Sequence, residues 1–190
     1  MTELEIAEAI ARGDLPSPQP LAGSWLIAMR ISGTGVAYRQ SLDEYCFRPP
    51  EIWLTDRMAR RWLGAPVVLQ HPDGGVLSSG EYQNSVLGAI VFTYIAGDEL
   101  WGIARAFSNG LAAELIRPEG LVSFDTSPAV SFAADGVEAL ELYDGSRLLI
   151  EEEPELIDHL AIIVSPAGEV GGVWSKDDPT NVGIKESEDA

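Results

Sequence analysis

The sequence predicts a mainly β domain (α+β) with a few short helices, on three observations. Apolar runs rich in β-branched residues recur at 24–31, 86–95, 100–106, 147–150 and 158–164. Turn-forming groups stand between neighbouring runs, above all Asp144-Gly145 and Ala96-Gly97-Asp98. Helical periodicity is confined to brief stretches. The 190 residues, 46% of them hydrophobic, suffice for one domain burying roughly 70% of its unfolded surface.

In chain order, Ile6 and Ile10 stand at i,i+4 among helix formers, which predicts a short, weakly amphipathic helix within 3–12. Pro16, Pro18 and Pro20 then favour extended backbone, so residues 1–20 read as an appendage or linker. Trp25, Leu26, Ile27, Met29 and Ile31 make a strand. Ser32-Gly33-Thr34-Gly35 joins it to Val36-Ala37-Tyr38-Arg39 through a hairpin or a tight connection. After Pro49 and Pro50, Thr55 can cap a helix at 56–63 whose Met58 and Trp62 form a core pair. A short buried strand follows in Pro66-Val67-Val68-Leu69.

The runs 86–95 and 100–106 pair as a hairpin, and Ser108 caps a helix at 109–116 closed by Pro118 and Gly120. The runs 137–143 and 147–150 form a second hairpin about Asp144-Gly145. Glu151-Glu152-Glu153 with Pro154 reads as a solvated edge or loop. The β-branched end of 158–164 favours a strand, with a short helix as the alternative. Residues 176–190 have little to bury and read as a disordered acidic tail.

Thirty acidic against twelve basic residues give a formal charge of −18, which repels phosphate backbones and argues against nucleic-acid binding. A single cysteine, Cys46, forms no intrachain disulfide, offers no metal-ligand spacing and fits a reducing compartment. No apolar stretch has the length of a membrane span, and the acidic N-terminus lacks the basic region of a secretory signal, so a cytosolic setting is expected.

Chemistry centres on the two histidines. His71 ends a short apolar run, where Pro72 holds it extended and Asp73-Gly74 turns the chain. His159 follows Asp158 at the mouth of the last apolar run. Each alone is equally consistent with a structural imidazole. Between them, Ser123, Ser127 and Ser131 recur every four residues, and on one continuous strand they would share a face. Ser123 and Ser131 would then lie roughly 26 Å apart, so one histidine pair serves one serine at most. A serine hydroxyl attacks near neutral pH only when a base accepts its proton and a third group orients that base. One serine and two histidines fill those roles. A second arrangement uses His71, Asp73, Asp158 and His159 as metal ligands for a hydrolytic site.

Several stretches resemble the prohead proteases of tailed phages. Arg30-Ile31-Ser32-Gly33-Thr34-Gly35-Val36-Ala37-Tyr38 resembles the family's opening strand, and Gly64-Ala65-Pro66-Val67-Val68-Leu69-Gln70-His71-Pro72-Asp73-Gly74 the segment leading to its His-Pro histidine. Ser85-Val86-Leu87-Gly88-Ala89-Ile90 and Asp98-Glu99-Leu100-Trp101-Gly102 resemble later strands. Asp158-His159-Leu160-Ala161-Ile162-Ile163-Val164 is similar to the family's Asn-His-Leu-Ala-Leu-Val signature. The resemblance spans about residues 25–172 and implies a β-barrel flanked by helices, like that of the herpesvirus maturation proteases, at 21–175.

The implied activity is a serine endopeptidase with a Ser-His-His site that cuts scaffold and major capsid proteins inside the immature phage head, within the host cytoplasm. It also implies a homodimer and no cofactor. Carried over by position, His71 is the general base and His159 the third member. Ser127, in Ser127-Pro128-Ala129-Val130, ranks first as nucleophile, ahead of Ser131 and Ser123. Arg147 and Arg117 are candidates for stabilising the oxyanion. The chain departs from the family where Ser165-Pro166-Ala167-Gly168 replaces Gly-Arg-Ala-Gly. The competing expectation is a catalytically inactive capsid-assembly or scaffold-associated protein of the same fold.

Overall fold

Short, interrupted apolar runs fold here into strands that share two main sheets. The computed structural model describes residues 1–39, 44–107, 116–117, 120–121, 125–133 and 136–163. In chain order these contain α1 (Glu3–Ala11), β1 (Gln19–Leu21), β2 (Ser24–Gly33), β3 (Gly35–Arg39), β4 (Glu44–Arg48), α2 (Pro50–Trp53), α3 (Asp56–Arg61) and β5 (Pro66–Leu69). Then follow α4 (Ser79–Ser85), β6 (Val86–Ala96), β7 (Glu99–Phe107), β8 (Ile116–Arg117), β9 (Gly120–Leu121), β10 (Asp125–Ser131), β11 (Val137–Glu141), β12 (Arg147–Glu151) and β13 (Leu156–Ile163). The fold is mostly β with a few short helices. Residues 109–115 of the helix expected at 109–116, Ser123 and the tail at 176–190 lie outside the described residues, and Ile116 belongs to β8.

The larger sheet runs β1-β2-β7-β6-β5-β13-β10, antiparallel throughout except for the β5–β13 pair. Its ladders shift register at Arg30/Ser32, Val67/Val68, Ile90/Phe92 and Ala129/Val130. Each such bulge adds local twist and bends the sheet. The bending brings β10 back toward β2, where the Thr126 hydroxyl donates to the Arg30 carbonyl. No ladder joins β10 to β2 among the described residues.

The concave face holds the main core. Ile27, Met29 and Ile31 meet Val67, Ile90, Leu160 and Ile162, and the segment carrying α2 and α3 adds Trp53, Met58 and Trp62. The Thr55 hydroxyl accepts from the Met58 N–H at 3.1 Å, as the cap signal predicts. The residues read as an N-terminal appendage lie against the opposite face of the sheet. There Ala7 and Ile10 of α1 pack with Leu26 and Ile103.

The second sheet runs β11-β12-β4-β3. The glycines at 33 and 35 prove to make a tight connection and not a hairpin, because β2 and β3 belong to different sheets. The hairpins β6–β7 and β11–β12 form as expected. Glu151, read as part of a solvated run, is instead buried. Its Oε2 accepts from Arg48 Nε at 2.6 Å, and its carbonyl accepts from Trp53 Nε1 at 2.9 Å. Arg48 also donates to Ser32 Oγ at 2.8 Å, which ties the small sheet to β2. The arginine that pairs with Glu151 comes from β4, 103 residues earlier in the chain, and periodicity gives no sign of that.

Candidate active site

The parallel β5–β13 pair sets Leu160, Ala161 and Ile162 against Val67, Val68 and Leu69. Leu160 and Ile162 face the main core, so alternation sends His159, Ala161 and Ile163 to the other face, where Ala161 and Ile163 pack with Val68. His159 is fully buried there. His71 arrives from the neighbouring strand. Gln70 donates its N–H to the Ile162 carbonyl at 2.9 Å, and its φ of 58° lies in the left-handed region. The chain therefore turns out of the sheet and back over its face.

The two imidazoles meet. His71 Nδ1 stands 2.9 Å from His159 Nε2, with ring centroids 5.1 Å apart and planes tilted by 58°. His159 Nδ1 is 2.6 Å from Asp158 Oδ2, and the same oxygen accepts the Leu77 N–H at 2.9 Å. His71 itself is exposed. Its inner edge nevertheless loses hydration, and that desolvation, followed by the neighbouring His159, lowers its pKa below the ordinary value of 6.5.

On the far side of β13, Ser127 pairs with Ala161, Ala129 with His159, and Ser131 with Leu156. Residues paired across a ladder point to the same face, so Ser127 and Ser131 both share the face of His159. Diagonal neighbours of this kind lie about 7–8 Å apart at Cα. The row Val68–Ala161–Ser127 lies toward the end of the sheet from which His71 turns back. Ala161 is the small residue in that row. Among the described residues, no hydrogen bond links a serine hydroxyl to His71.

Beside His71, a small cleft is lined by Gln70, Pro72, Asp73, Leu77, Glu81 and Ser85. Its far wall is α4, a helix that sequence periodicity missed because it buries no side chain. The signal was present in Ser78 and Glu81, which form a capping box. Arg147 is exposed on β12 of the smaller sheet, and the Arg117 side chain lies outside the described residues. The metal arrangement finds no support in the donors. Among the described residues no three His, Cys, Asp or Glu side chains are arranged to hold a metal ion, and both nitrogens of His159 are engaged by His71 and Asp158. No helix among the described residues is long and apolar enough to cross a membrane.

No protein-family model and no curated protein matches the chain. Among solved structures, the chain is similar to the bacteriophage T4 capsid assembly protease, with 15% sequence identity and a TM-score of 0.44 over 78% of this chain and 89% of that one.

Proposed function

We propose that this chain is a serine endopeptidase of the prohead-maturation type, with Ser127 as nucleophile, His71 as general base and His159 as the group that orients the base. One observation carries the reading. Two histidines 88 residues apart in sequence stand with ring nitrogens 2.9 Å apart, on the sheet face that also bears a serine one row away. The sequence resemblance to tailed-phage prohead proteases supports the same three positions, and with them a herpesvirus-protease-like barrel at 21–175 between the N-terminal segment and the tail.

In this reading the Ser127 hydroxyl adds to the scissile carbonyl carbon as its proton passes to His71. The tetrahedral intermediate then collapses, the peptide C–N bond breaks, and His71 returns the proton to the leaving amine. Water, deprotonated by the same ring, hydrolyses the acyl-enzyme. A lowered pKa keeps His71 neutral and able to accept a proton near pH 7. The substrates are scaffold and major capsid proteins, met inside the immature head in the host cytoplasm, and the working unit is a homodimer.

A second reading is an inactive assembly protein of the same fold. The observation favouring it is that no serine hydroxyl is hydrogen-bonded to His71 among the described residues, although such bonds commonly tighten only with substrate bound. Co-expression with the cognate scaffold and capsid proteins, followed by intact mass, separates the two. Processing by wild type that is lost in His71→Ala and Ser127→Ala supports the peptidase. A folded wild type that processes nothing overturns it.

A further inference from the structure

We propose that Asp158 is the positioning residue of the histidine pair. Its carboxylate decides which nitrogen of each ring carries a proton, and so leaves Nε2 of His71 as the free acceptor. The inference rests on the reading of His71 as general base and deepens it.

Adjacent residues of a regular strand point to opposite faces, so Asp158 should not reach its neighbour's ring. Here it does, because β13 carries an extra residue. Ala129 pairs with His159 and Val130 with Ile157, which leaves Asp158 with no partner across the ladder. Such a bulge re-aims the side chain at that position. It also puts Ile157 with the main core, although Ile157 stands two residues from His159. The re-aimed carboxylate is held on its other side by the Leu77 N–H at 2.9 Å. Its side chain is 13% exposed.

Proton counting then fixes the rest. An ionised carboxylate only accepts, so His159 Nδ1 at 2.6 Å carries the proton. A neutral His159 consequently has a bare Nε2, and the 2.9 Å contact with His71 Nδ1 requires the His71 proton there. His71 Nε2 is left with a lone pair. When it takes a proton, the positive charge faces a histidine already polarised by a carboxylate. A neutral histidine alone would stabilise that charge less. Asp158 supplies what a Ser-His-His arrangement otherwise lacks.

The test is long-range 1H–15N correlation of the ring nitrogens in the full chain, which has two histidines and therefore four signals. Wild type should show both rings protonated at Nδ1. Asp158→Ala should shift His159 toward the Nε2-protonated form, with His71 following. Asp158→Asn can still accept the Leu77 N–H, so it guards against a folding defect. Its amide offers Nδ1 either the oxygen that also accepts from Leu77 or, turned over, an NH2 donor that gives up the Leu77 bond, so mixed protonation of His159 is expected. In the processing assay Asp158→Asn should lower kcat by roughly 100-fold with KM unchanged. Unchanged ring protonation in both variants, or an unchanged kcat in an active enzyme, would overturn the proposal. Absence of processing by wild type would overturn the peptidase reading instead, and the ring signals would still decide the role of Asp158.

Discussion

Nδ1 of His71 lies 2.9 Å from Nε2 of His159, and a contact that short between two rings requires one proton between them. Two protonated rings would repel, which is one of the two causes that lower the His71 pKa. Replacing His159 with Gln should raise that pKa toward 6.5 by removing the second ring that competes with His71 for a proton, while the larger cause, desolvation, remains. The measurement is an NMR titration of the His71 ring in wild type and variant. A His71 pKa at or above 6.5 in wild type would contradict the geometry.

Ser127 and Ser131 share one face of β10, but Ser127 lies in the row of Ala161 and Val68, beside the end from which His71 returns. Ser127→Ala should therefore lose roughly 10³-fold or more in processing rate, whereas Ser131→Ala should stay within a few-fold of wild type. Intact-mass time courses with the cognate capsid proteins read both. The reverse order would move the nucleophile to Ser131.

Acid should weaken the fold through His71. Its folded pKa is lower than its unfolded value, so the unfolded chain binds more protons as the pH falls below about 6.5. The contribution is complete above the unfolded value and is lost as the pH falls through the folded one. Urea midpoints measured downward from about pH 7 should drop further for wild type than for His71→Gln. Parallel curves would show that the ring titrates alike in both states.

Gly88 on β6 lies so close to β7 that a Cβ would collide with the Arg105 carbonyl and the Ala106 Cα. Both are backbone atoms in a ladder with little room to shift. Gly88→Ala should cost about 3 kcal/mol, visible as a lowered denaturation midpoint. A similar change at Gly80, where nothing lies within 4 Å, should be tolerated.

The Arg48–Glu151 pair joins β4 to β12 inside the smaller sheet, from which Arg48 also reaches Ser32 of β2. Glu151→Ala removes the carboxylate 2.6 Å from Arg48 Nε and leaves that nitrogen buried without it, a loss of about 3 kcal/mol. Equilibrium unfolding of the variant measures it. Glu152, exposed one residue later, should change stability by less than about 0.5 kcal/mol when replaced by alanine.

What the sequence determined by itself is local. The β6–β7 and β11–β12 hairpins, the Thr55 cap and the strand character of β13 all follow from residues within a few positions of one another, whose turn chemistry and alternation act at short range. Both histidines stand out for the same reason, each beside an apolar run. Only the tertiary structure decided that His71 and His159 touch, that Asp158 turns onto its neighbour through a bulge, and that Glu151 is buried. Each depends on a partner or a ladder register supplied by a distant strand, 88 residues away for the histidines and 103 for Glu151 and Arg48. Periodicity reports which face a residue takes, and it is blind to what another strand brings to that face.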